Sequence, residues 1–226
     1  MMRLLQRISS LIRNPFGMMI CAFLLSNPQA FGETIFDNLR TPQTAFAVNS
    51  VGWQAQSFRT GDEPMELDKV GFILHPHVGD GLFQVRLFTN ILDIFGDFDS
   101  LDRPGIPLET LTGPGNPQTG TFYYSSLVNS ILQPDTLYWI VFSSSTNKDY
   151  AITLEFMTNG TEIGSSVGHR ISADAGASWG IVPIPGLLYN INISVTGIPI
   201  VPEPASISLL LIMGLSLTRR SRRCCR

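Results

Sequence analysis

The sequence predicts an all-β fold: a single antiparallel β-sandwich, jelly-roll-like, over residues 31–198. A signal peptide precedes it and a short hydrophobic sorting helix follows it. Three observations carry that prediction. Segments such as Phe83-Gln84-Val85-Arg86-Leu87 alternate apolar and polar residues with period two, which is the pattern of a strand wet on one face. Short strand-like segments recur at roughly 8–15-residue spacing, with turn-forming clusters between them at Thr60-Gly61-Asp62, Val78-Gly79-Asp80-Gly81, Gly113-Pro114-Gly115-Asn116-Pro117 and Asn159-Gly160. No stretch within 31–200 combines a 3.6-residue apolar period with helix caps.

Taken in chain order, residues 1–30 read as a secretory leader. Arg3, Arg7 and Arg13 make its basic part, Phe16 to Leu25 its apolar core, and the small Ala30 ends the cleavage region. Strands are then expected at Trp53–Thr60, Leu67–Leu74, Phe83–Leu87, Leu108–Thr112, Thr119–Ser125, Leu137–Phe142, Tyr150–Phe156, Trp179–Ile184 and Leu188–Thr196. Leu137-Tyr138-Trp139-Ile140-Val141-Phe142 is apolar on both faces, as a central strand should be. In Leu188–Thr196, Tyr189, Ile191, Ile193 and Val195 alternate with Asn190, Asn192, Ser194 and Thr196, so the asparagines are expected on a wet face. Residues 199–204 are a linker ending in Pro202-Glu203-Pro204, and 205–226 are the hydrophobic helix with its arginine-rich tail.

That tail has a physical logic. Ala205 to Leu217 carries no charge and would make a helix roughly 20 Å long. A hydrocarbon core of about 30 Å calls for about 20 residues, so the run suits a temporary anchor. Arg219, Arg220, Arg222 and Arg223 follow it, as positive charge follows a span on the cytoplasmic side.

Removing both ends changes the composition. The whole chain has a formal charge of −3. Residues 31–204 hold all 18 acidic residues against seven basic ones, a net −11, and Cys21, Cys224 and Cys225 all fall outside them. An acidic domain of this kind does not attract nucleic acid or an anionic membrane through charge. About 170 residues can bury a core without disulfides.

Val201-Pro202-Glu203-Pro204-Ala205-Ser206, the apolar run and the arginine cluster together resemble the PEP-CTERM sorting signal. The resemblance implies passage through a secretion translocon, transient inner-membrane anchoring, and cleavage near the tripeptide by an exosortase-type enzyme. The body, through Ile35-Phe36-Asp37-Asn38-Leu39, Gln54 to Gly61, Pro104 to Pro114 and Leu132 to Val141, resembles the choice-of-anchor R domains. That resemblance implies an extracellular β-sandwich and transfers no catalytic residue. Residues 91–103 look like an insertion relative to it.

Four constellations are candidates for chemistry. Asp93, Asp97, Asp99 and Asp102 offer carboxylates that Ca²⁺ could use, without the frame of an EF-hand; a solvated acidic loop is the simpler reading. No cofactor is otherwise expected. His75, His77 and His169 could form a zinc site, but Pro76 breaks the strand between the first two. Gly164-Ser165-Ser166-Val167-Gly168 has the letters of a nucleophile elbow without the flanking strand and helix. Trp53, Trp139, Trp179, Tyr123, Tyr124 and Tyr150 could stack on sugars or fill the core. Tyr123 and Tyr124 must point to opposite faces of their strand, so one of them is expected outside.

The sequence therefore predicts an exported surface or exopolysaccharide-matrix protein with a non-enzymatic structural or adhesive role. The alternatives are a carbohydrate-binding module and a metal-dependent hydrolase. Mass spectrometry of the native extracellular fraction should find a chain that starts near residue 31 and ends near Glu203. A fraction retaining Arg219–Arg226 would overturn the sorting reading.

Overall fold

The computed structural model describes residues 32–39, 44–75, 81–92, 102–147, 149–156, 168–180 and 189–200. The chain divides into two compact units, 1–31 and 32–226, and every described residue belongs to the second. The leader and the sorting tail, with Pro202, Glu203, Pro204, Arg219, Arg220, Arg222 and Arg223, lie outside the described residues. So do Asp93, Asp97, Asp99, His77, Ser166 and the Asn159-Gly160 turn.

Among the described residues the secondary structure is β-strand without helix, in two antiparallel sheets. Strands β1 (Glu33–Asp37), β2 (Thr44–Val48), β4 (Met65–His75), β7 (Gly120–Ser125), β8 (Ile131–Leu132), β10 (Tyr150–Phe156), β12 (Tyr189–Ile191) and β13 (Ile193–Pro199) form one sheet. Strands β3 (Trp53–Arg59), β5 (Phe83–Leu92), β6 (Asp102–Thr110), β9 (Leu137–Ser144) and β11 (His169–Ser172) form the other, in the order β11-β3-β9-β5-β6. The expected strands are largely present; of Trp179–Ile184, residues 181–184 lie outside the described residues and Gly180 forms an isolated bridge with Ile171. β1, β2, β8, β11 and the first half of β6 were not legible as strands, being short or interrupted by Pro104 and Pro107. These two prolines sit on a sheet edge, where a missing N–H is tolerated and further pairing is discouraged.

Inward residues of both sheets meet in one core. Phe72 of the eight-stranded sheet packs on Phe83 and Phe142 of the other sheet, at centroid separations of 5.4 and 5.2 Å. Tyr124 lies 5.3 Å from Phe72, and Tyr150 lies 4.9 Å from Phe83. The phenols keep their polar ends bonded: Tyr150 donates to the carbonyl of Gly81, and Tyr124 to that of Pro114. Each fully buried ring of this size contributes about 1.5–3 kcal/mol through removal from water.

The last strand corrects one expectation. Asn190 and Asn192 are fully buried, not wet. The strand is also not continuous. β12 pairs with β10, β13 pairs with β4 and β1, and the break between them falls at Asn192. β10 occupies the fork, pairing with the end of β4 through Ala151 and Ile152 and with β12 from Leu154 on. Backbone groups at the break are served by neighbours. Asn192 N–H donates to the carbonyl of Thr153 (3.0 Å), and Ile193 N–H donates to Asn38 Oδ1 (2.7 Å). Asn38 Nδ2 donates to the carbonyl of Ile191 (2.9 Å), and Ile191 N–H donates across the core to Gln56 Oε1 (2.7 Å). Gln56 Nε2 in turn donates to Asn190 Oδ1 (3.1 Å).

Part of the segment 91–103 is paired strand. β5 runs through Leu92 and pairs with β6 from Asp102, so Ile91, Leu92, Asp102 and Arg103 belong to a hairpin ladder.

Gln56→Ala should remove the acceptor of the buried Ile191 N–H, at a cost of about 1–3 kcal/mol. Urea unfolding should show the loss as a lower midpoint at unchanged slope; a loss below about 0.5 kcal/mol would mean the bridge is dispensable.

Candidate functional site: an aromatic and guanidinium platform

The outward face of the five-stranded sheet carries a second hydrophobic cluster, separate from the shared core. Ala55, Phe88, Trp139 and Val141 are its buried members, and Trp53 and Trp179 pack against it half-buried. It gathers all three tryptophans of the chain. Register explains the gathering. Arg170, Ala55, Val141, Arg86 and Thr110 are successive partners across β11, β3, β9, β5 and β6. Ser57, Trp139, Phe88 and Pro107 form the next outward row. Trp53 stands two residues before Ala55 and so shares its face.

Two arginines lie on the rings. The Arg86 guanidinium sits 4.2 Å from the centroid of Trp53 and 5.5 Å from that of Phe88. Its Nη2 donates to Ser143 Oγ (3.1 Å) on the intervening strand, while its buried Nε has no hydrogen-bond partner among the described residues. Burial pushes the Arg86 pKa down from its ordinary value by desolvation. The Arg170 guanidinium lies 5.6 Å from Trp139, and its Nε donates to the carbonyl of Asp102 (3.1 Å). Trp139 Nε1 donates to Asn90 Oδ1 (2.9 Å), and Asn90 Nδ2 donates to Asp102 Oδ1 (2.6 Å). The Asp102 carboxylate offered above as a calcium ligand is thus engaged in holding Asn90 beneath Trp139.

The turn at 173–178 closes one side. Asp174 accepts from Ser178 N–H (2.9 Å) and Ser178 Oγ (2.6 Å), and from Ser172 Oγ (2.7 Å). These bonds, with that from the Ser178 hydroxyl the largest, hold its carboxyl down at about 2. Gly176 has φ +85°, and a Cβ there would strike the six-membered ring of Trp53. Only glycine permits both that conformation and that approach.

The other candidates are placed as follows. Tyr123 is 53% exposed and Tyr124 is 2% exposed, the split expected of neighbours on a strand. The Tyr123 ring covers Gly71 on the outer face of the other sheet, with Lys69 Nζ 5.9 Å from its centroid. Covering a strand glycine accounts for it structurally. Tyr124 and Tyr150 belong to the core and are closed to a sugar. His75 is exposed at the end of β4, whereas His169 is buried on β11. His169 Nε2 contacts Gln54 Oε1 at 2.5 Å, and its ring lies 5.9 Å from that of Phe46. No group of three or more His, Cys, Asp or Glu able to hold a metal occurs among the described residues.

Elsewhere, a cavity of about 390 Å³ opens where β1 begins and β13 ends, lined by Glu33, Arg59, Asp62, Glu63, Met65 and Pro199 among others. Arg59 there is paired with Asp135 at 3.1 Å. Glu33 is the register partner of Gly197, so the chain enters and leaves the sheet at neighbouring positions.

No protein-family model matches the chain, and no curated protein matches it.

Desolvation, and then the charge of Arg170, hold the His169 pKa down at about 3, against 6.5 for an ordinary histidine. The folded state therefore keeps it neutral where the unfolded chain takes up a proton. Its contribution to stability is full above about pH 6.5 and declines as the pH falls toward 3, by as much as about 1.4 kcal/mol per pH unit. His169→Gln should flatten the decline in urea stability between about pH 7 and pH 5 relative to the parent chain. Parallel curves would show that His169 already titrates freely.

Proposed function

We propose that this chain is an exported, non-enzymatic adhesive component of the cell surface or exopolysaccharide matrix, and that it holds polysaccharide on the outer face of its five-stranded sheet. On this reading the domain is a jelly-roll-like sandwich. The leader carries it through the translocon, and the Pro202-Glu203-Pro204 tail anchors it briefly before an exosortase-type enzyme removes that tail.

The observation that carries the proposal is the gathering of Trp53, Trp139 and Trp179, from distant parts of the chain, on one outward face. Ring faces that keep contact with water are suited to the apolar C–H face of a pyranose. Trp139 is fully buried and serves as support. Trp179 at the rim keeps part of its surface in water and is the ring we assign to stacking.

A glycan array probed with the mature domain should give signals that fall at least about tenfold for Trp179→Ala, with a melting temperature close to that of the parent. Arrays empty for the parent domain would sink the reading, and so would signals indifferent to Trp179.

A further inference from the structure

We propose that the ligand of this face is a polysaccharide bearing carboxylates, and that Arg86 is the residue that pairs with them. The proposal rests on the glycan-binding reading above and narrows its ligand class. It starts from an unusual cation. Among the described residues, Arg59 lies 3.1 Å from the Asp135 carboxylate and Lys69 lies 3.8 Å from that of Asp68. Arg86 has no carboxylate within ion-pair distance among the described residues, in a domain where acidic residues outnumber basic ones 18 to seven.

The surroundings of Arg86 are close: the Trp53 and Phe88 rings lie 4.2 and 5.5 Å from its guanidinium, Ser143 accepts from Nη2, and Nε is buried without an acceptor among the described residues. A half-buried charge without a counter-ion is costly, and an arriving anion relieves that cost. The planar fork suits a carboxylate, which can accept two parallel N–H bonds. Stacking on Trp53 and Phe88 removes the freedom that a free arginine would lose on binding.

The second half of the argument is the company Arg86 keeps. A carboxylated sugar presents an apolar ring face and a carboxylate at once, and this face offers an indole and a fixed guanidinium at once. A neutral sugar would use the aromatic surface and leave Arg86 uncompensated. An acidic peptide would use Arg86 and leave Trp179 without a flat partner. The excess negative charge of the rest of the domain repels polyanions in general, so attraction should be confined to this face and should weaken with salt.

The test uses the exported domain with three polymers: polygalacturonate, the same polymer with its carboxylates methyl-esterified, and polyglutamate. Affinity electrophoresis or calorimetry should show polygalacturonate bound at least about tenfold more tightly than its ester, and more tightly than polyglutamate. Arg86→Gln should bring the acid-to-ester ratio close to one, with the melting temperature confirming that the variant is folded. Equal affinity of the parent domain for acid and ester overturns the proposal, and does so without needing the variant. Polyglutamate bound as tightly as polygalacturonate also overturns it, in favour of an acidic peptide. Binding of neutral glycans on the array without preference for the acid removes this proposal and leaves the adhesive reading standing. A domain that binds no glycan of any kind removes both.

Discussion

The eight-stranded sheet depends on how it resolves a fork. β4 needs β13 along most of its length and β10 at its end, and the strand that contains β13 must turn aside at Asn192 to let β10 in. Turning aside exposes backbone N–H and C=O groups in a place with no water. Each such group, left alone, costs about as much as a lost hydrogen bond. The chain fills these vacancies with amide side chains: Asn38 serves both Ile191 and Ile193, and Gln56 serves Ile191 from the opposite sheet. Gln56 thereby fixes the register of one sheet against the other, which aromatic packing alone does loosely. The Phe72, Phe83 and Phe142 core supplies attraction, and the amides supply position.

Fixing β3 through Gln56 has a consequence on its other side. Side chains alternate along a strand, so the residues that place Gln56 and Phe58 in the core place Trp53, Ala55 and Ser57 outside. β9 repeats the division, with Tyr138, Ile140 and Phe142 inside and Trp139 and Val141 outside. The aromatic platform is therefore tied to the same registers that build the core. Its small centre at Ala55 and Val141, flanked in register by Arg170 and Arg86, follows from those pairings and from no local motif.

Much of the fold was legible because period-two alternation and turn residues report directly on strands. Phe83–Leu87 was visible in this way, Leu137–Phe142 as a continuous apolar run, and the opposed pointing of Tyr123 and Tyr124 from strand alternation. The reading of Asn190 and Asn192 went astray for a definite reason. Alternation separates two faces of a strand but does not say that the polar one is wet, and here a neighbouring strand and two side-chain amides cover it. Asp102 was likewise read as part of an acidic loop, whereas it belongs to a strand and supports Asn90. Arg86 carries no local signal, since an arginine in an alternating strand looks like any solvated charge.

The sequence by itself determined that most of the longer segments extend, that the ends are distinct from an acidic and cysteine-free middle, and that two adjacent tyrosines point to opposite faces. These follow from local chemistry: side-chain period, turn conformations, charge and run length. Only the tertiary structure decided that Gln56 and Asn38 serve a buried fork, that Trp53, Trp139 and Trp179 stand together, and that Arg86 lies on an indole with no carboxylate of the described residues within ion-pair distance. Those facts depend on strand order and register, which join residues more than a hundred positions apart. Hydrogen-bonded pairing between strands sets them, and no window along the chain contains both partners.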